Sequence, residues 1–110
     1  MVSIKTFREL ALALDNVVEQ PHFEKASFRV NKKIFATLDS KNKRVVVKLP
    51  EIEQSVFCLF DSSIIYPAEG AWGKQGWTVV ELDKVRKTML VDALKSSYHH
   101  VSAKKKKWLE

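Results

Sequence analysis

From Ala26 to Leu49 the apolar residues keep a period of two through three consecutive runs, and no other feature limits the available folds as tightly. Phe28 and Val30 alternate with Ser27, Arg29 and Asn31; Ile34, Ala36 and Leu38 alternate with Lys33, Phe35 and Thr37; Arg44 to Leu49 forms a third run. Asn31-Lys32 suits a tight hairpin, because Asn accepts a positive φ more readily than most residues. The polar run Asp39-Ser40-Lys41-Asn42-Lys43 makes a longer turn into the third run. The pattern predicts a three-stranded meander with a basic tip at each turn.

On both sides of the meander the period becomes helical. Ile4, Phe7, Leu10, Ala11 and Leu14 share one face, with Ser3 as a candidate N-cap and Thr6 with Glu9 as an alternative capping box a turn later. Asn16 to Glu24, which contains Pro21, reads as a connection. Pro50 fits a first helical turn, Glu51 and Glu53 suit its positive end, and a helix to about Phe60 would bury Ile52, Val56, Leu59 and Phe60. Ile64–Tyr66 and Trp77–Leu82 are short strand candidates joined by a loop containing Gly and Trp. Asp83 is placed to cap a last helix whose Val85, Met89, Leu90, Ala93, Leu94, Ser97 and Val101 form one stripe. The expected fold class is α+β: two layers, a five-stranded antiparallel sheet with helices on one face, in the order α-β-β-β-α-β-β-α. One domain should span residues 1–103, leaving 104–110 as a basic tail expected to fray, with Leu109-Glu110 a candidate tag remnant.

Composition agrees with one globular domain: 110 residues, 45% hydrophobic and 29% charged. The single cysteine, Cys58, excludes an intramolecular disulfide, and the first residues carry no charged leader followed by an apolar run, so a cytoplasmic location is expected. No apolar stretch approaches the ~20 residues of a membrane span. The net charge of +6 is unevenly placed. Residues 24–48 hold eight bases and two acids, residues 104–110 hold four bases and one acid, and the remainder is slightly acidic. Such asymmetry is the footprint expected of a surface that binds polyanions, although a basic domain can also be merely soluble.

Catalytic signatures fail on spacing. Gly70, Gly73-Lys74 and Gly76 cannot form a phosphate-binding P-loop: two residues, not four, separate the first two glycines, and Gln75 follows the lysine. Glycines here are better explained by turns close to the indoles of Trp72 and Trp77. His99 and His100 point to different sides of a helix, and His22 has no identifiable nucleophile beside it. Cys58 reads as a small core filler. The chain is expected to be no enzyme, and to take no cofactor and no metal.

If the alternating apolar set faces the helices, the other sheet face presents Arg29, Lys33, Phe35, Thr37, Arg44, Val46 and Lys48. Bases around an aromatic can hold phosphates and stack an unpaired base, here on Phe35. Alternatively Phe35 and Val46 lie under Trp72 or Trp77 as a second small core. The turn bases Lys32, Lys41, Lys43 and Arg44 suit phosphates too, or serve only to keep a hairpin edge from pairing.

The segments Pro21-His22-Phe23-Glu24-Lys25-Ala26-Ser27-Phe28-Arg29-Val30, Lys33-Ile34-Phe35-Ala36-Thr37-Leu38 and Ala71-Trp72-Gly73-Lys74-Gln75-Gly76-Trp77-Thr78-Val79 together resemble the MmcQ/YjbR-like family of small bacterial proteins. The resemblance covers nearly the whole chain. It implies a two-layer fold of the kind read above and a DNA-binding role through a double wing of strand hairpins. The positions available for such wings are Asn31-Lys32-Lys33 and Lys41-Asn42-Lys43-Arg44. The nucleic-acid-binding set expected is thus Arg29, Lys32, Lys33, Lys41, Lys43, Arg44 and Lys48, with DNA as partner. A protein partner held by the open sheet face or by Trp72 and Trp77 is the alternative. The layer order is also similar to that of frataxin-like domains, but iron handling there needs an acidic ridge, and Glu9, Asp15 and Glu19 stand here beside Lys5 and Arg8.

Overall fold

A computed structural model describes residues 1–103, so the expectations for the tail fall outside the described residues. Ten elements follow one another: α1 (Ile4–Leu12), β1 (Val18–His22), β2 (Lys25–Val30), β3 (Lys33–Asp39), β4 (Arg44–Lys48), α2 (Glu51–Phe60), β5 (Ile65–Pro67), α3 (Gly70–Lys74), β6 (Trp77–Glu81) and α4 (Lys87–Ser102). The strands form one antiparallel sheet in the order β1-β2-β3-β4-β6-β5. The α+β class and the meander are as expected, but the sheet has six strands, not five, and a short helix α3 interrupts the loop before β6.

The extra strand is β1, which pairs with β2 from Val18↔Arg29 to His22↔Lys25. Its residues are nearly all exposed, so it has no apolar alternation to announce it. Pro21 lacks the donor that a central strand needs, and an edge strand tolerates it.

Helices α1 and α4 cover one sheet face. Ser3 caps α1 by accepting from the Thr6 amide at 3.0 Å, and Phe7 meets Phe28 edge to face at 5.2 Å. Leu90, Ala93, Leu94 and Ser97 are the buried residues of α4. Asp83 does not cap that helix. It sits in the turn after β6, 3.8 Å from the Lys43 ammonium, and α4 begins four residues later behind Arg86 without a side-chain cap.

Phe35 reverses the expected facing of β3. The β2–β3 pairing passes from Phe28↔Ala36 to Arg29↔Ile34, so Phe35 is an extra residue in a β-bulge. The bulge lets Phe35 and Ala36 both enter the core and turns Ile34 to the opposite face. Phe35 packs edge to face on Tyr98 of α4 at 5.7 Å, not beneath Trp72 or Trp77. Ser97 closes the gap in the ladder. Its hydroxyl donates to the Phe35 carbonyl at 2.7 Å and accepts from the Lys48 amide at 3.1 Å.

Helix α2 faces the opposite way to the expectation. Ile52, Val56, Leu59 and Phe60 point outward, while Gln54, Phe57 and Cys58 form the half-buried side. Gln54 anchors the helix by donating to the Gly73 carbonyl at 2.9 Å and to Thr78 Oγ1 at 3.1 Å. The two glycines before β6 answer to backbone, not to indoles. A Cβ on Gly73 would lie 2.1 Å from the Ala68 carbonyl oxygen, and one on Gly76, at φ +105°, 2.2 Å from that of Leu49. Among the described residues no helix is long and apolar enough to cross a membrane.

Candidate nucleic-acid interface

The sheet face turned away from α1 and α4 is open. Thr37 of β3, Val46 of β4, Val79 of β6 and Tyr66 of β5 lie side by side across it. Trp77, and Trp72 from α3, wall one end, and His22, Lys25 and Arg44 lie towards the other, enclosing a groove of about 910 Å³. Trp72 is 65% exposed, which leaves most of its indole available as a stacking surface.

Meander topology divides the expected basic residues. Successive hairpin turns fall at opposite ends of the strand they share, and seven-residue β3 separates them by roughly 23 Å. At one end, Asn31 (φ 52°) and Lys32 (φ 67°) form the two-residue turn with both central residues at positive φ, and Val30 pairs with Lys33. Arg29 pairs with Ile34 on the open face, its Nε donating to Ser27 Oγ at 3.0 Å. Lys48 ends β4 nearby, its ammonium 5.7 Å from the Trp77 ring centre. Among the described residues, none of Arg29, Lys32, Lys33 and Lys48 has a carboxylate within ion-pair distance.

The opposite end is electrically compensated. Arg44 Nε lies 3.0 Å from Glu81 Oε2, and that same oxygen accepts a short hydrogen bond from the Tyr66 hydroxyl. Burial, with Glu81 second, raises the Tyr66 pKa above its ordinary value, so the phenol stays protonated at neutral pH. Lys43 (φ 55°) faces Asp83. Asp39 accepts from the Asn42 side chain at 2.9 Å and from its amide at 3.1 Å, and these bonds hold its carboxyl below the usual range. Lys41 alone of the expected residues here has no acid within ion-pair distance among the described residues.

Of the expected site, Arg29, Lys32, Lys33 and Lys48 therefore gather at one end, while Lys41, Lys43 and Arg44 stand at the other. Phe35 cannot stack on a base, because its ring is fully buried on the helix side. The aromatic groove belongs instead to Tyr66, Trp72 and Trp77. Tyr66 and Glu81 cannot be recognised from sequence as members of this site, because the Glu81 link to Arg44 spans 37 residues and exists only through strand pairing. Burial also pushes the Cys58 thiol pKa up, which disfavours the thiolate. Among the described residues no group of three His, Cys, Asp or Glu side chains is placed to hold a metal ion.

A family model described as YjbR matches residues 12–100 of the chain. The fold is similar to the crystal structure of Deinococcus radiodurans protein DR2400, which carries the family-model domain DUF419 of the same family. The two superpose with a TM-score of 0.83 over 94% of this chain and 81% of that one, at 23% identity. No curated protein matches the sequence.

Proposed function

The chain belongs to the YjbR family, and from the charge layout of this member's sheet we propose that it is a non-enzymatic nucleic-acid-binding protein with DNA as its partner. One observation carries the reading: Lys48, its ammonium over Trp77 of the aromatic groove, and Arg29, paired with groove-lining Ile34, share one end of the open sheet with Lys32 and Lys33, and none of the four has an acid within ion-pair distance among the described residues. Phosphates are held by such unmatched bases, and bases displayed by a distorted or single strand stack on indoles. In this reading the β2–β3 hairpin is the principal wing. The β3–β4 tip, some 23 Å away by strand rise, is a weaker second contact through Lys41. The reading keeps the expected cytoplasmic location, a reducing compartment in which Cys58 stays a thiol.

The test is fluorescence anisotropy with labelled duplex and single-stranded DNA over a range of salt. The parent should bind with an affinity that falls steeply with salt, and Lys32→Glu with Lys33→Glu should weaken it while the protein stays folded. Binding unaffected by that pair, or no salt-sensitive binding by the parent, defeats the reading.

A second reading rests on the exposure of Trp72: the groove holds a protein segment. Loss of a purified partner on Trp72→Ala, with no DNA binding by the parent, would favour it.

A further inference from the structure

Helix α2 turns its apolar side to solvent. Ile52, Val56, Leu59 and Phe60, spaced by four, three and one, occupy one helical face and are between 62 and 85% exposed. None of its ten residues is fully buried. Pro50 gives no side-chain cap, and the last turn has no basic residue. Gln54, Phe57 and Cys58 hold the helix to the fold from its other side, so the bare stripe is an apolar surface available for something else to cover.

We propose that α2 is the contact surface of a symmetric homodimer. Charge narrows the choice of occupant. Residues 50–61 carry Glu51, Glu53 and Asp61 and no base, so a densely anionic lipid surface or nucleic-acid backbone would be repelled along the whole helix, whereas a second copy brings only three carboxylates, at the rim of the stripe. The stripe also matches itself. Ile52 and Phe60 lie four residues either side of Val56, so two antiparallel copies crossing at Val56 set Ile52 of each against Phe60 of the other, as an isologous two-fold contact requires, while Leu59 meets Glu53 and Glu51 meets Asp61, which limits the strength of the contact. Four such side chains present on the order of 500 Å² per copy, near the upper end of what monomers leave bare. Two copies would together bury about 1,000 Å², which is where specific association begins. The dimer is accordingly weak and concentration-dependent.

Sedimentation equilibrium of the full chain from low to high micromolar concentration tests this. The expected result is a reversible rise from monomer to dimer mass, with Val56→Glu and Leu59→Glu each weakening dimerisation about tenfold or more. Both positions are solvent-facing, so both variants should fold. In a Cys58→Ser background, Val56→Cys should form a disulfide-linked dimer under mild oxidation, because the two-fold axis brings both copies of that residue together. A parent that remains monomeric throughout overturns the proposal, and would be the result if the stripe served a different protein. A dimer unchanged by both glutamates overturns it equally.

Discussion

Ser97 is the hinge between a strand defect and the helix layer. The bulge at Phe35 removes a regular partner from its carbonyl and from the Lys48 amide opposite, and one buried hydroxyl serves both. Ser97→Ala would strand two backbone groups at about 1–3 kcal/mol each, so a loss of roughly 2–6 kcal/mol is expected in urea unfolding. A loss under 1 kcal/mol would mean that water reaches the bulge. Phe23 presents the reverse situation. It is 94% exposed at φ 59°, the first central position of the β1–β2 turn, where only that residue is at positive φ and glycine is the usual occupant. Phe23→Gly should leave stability unchanged or raise it by up to about 1 kcal/mol, since strain is relieved and little burial is lost. A clear drop in thermal midpoint would show that the ring has a structural role in the fold. The stripe of the last helix places Ser97 on its buried face, but neither its bond to the bulge nor the conformation of Phe23 can be read from sequence. Phe35 sits at a polar-face position in the alternation of β3, and only the extra residue in the ladder, which depends on β2, sends it inward.

Elements were legible in the sequence where burial was one-sided and regular. The stripes of α1 and α4 and the alternation of β2 and β4 are written in residues that the core must absorb. β1 was illegible because an exposed edge strand needs no apolar pattern, and the facing of α2 because its larger apolar side is the outer one. Turn chemistry was clearer. Asp39 and Asn42 bracket the β3–β4 turn, and the bonds from Asn42 keep the Asp39 carboxyl more acidic than its ordinary 3.8. A folded-state pKa below the unfolded one adds stability above the unfolded value, and that stability disappears as pH falls through it towards the folded value. Unfolding free energies measured across the acid range should therefore fall below about pH 4, and less steeply in Asp39→Ala than in the parent. Equal slopes would mean that the turn bonds are absent in solution. Asp61, lowered by Ser63, contributes to the remaining slope with the same sign.

Across the whole molecule, sequence charge located the basic segment, but topology decided which bases remain uncompensated. Residues 24–48 read as one basic stretch; folding sends its two tips to opposite ends and brings Glu81 and Asp83, from the far side of the chain, onto Arg44 and Lys43. The salt dependence of DNA binding distinguishes the ends. Each base that neutralises a phosphate contributes about 0.7 to the slope of log affinity against log salt on single strands and about 0.9 on duplex. Contacts by Arg29, Lys32, Lys33 and Lys48 alone predict a slope of roughly −3 to −4. Replacing Lys32 and Lys33 by Gln should reduce its magnitude by about 1.5–2, whereas Lys43→Gln should change it by less than about 0.5, because Asp83 already faces that charge. If Lys43→Gln has the larger effect, the Asp83 contact opens on binding and the β3–β4 tip, not the β2–β3 hairpin, is the principal wing.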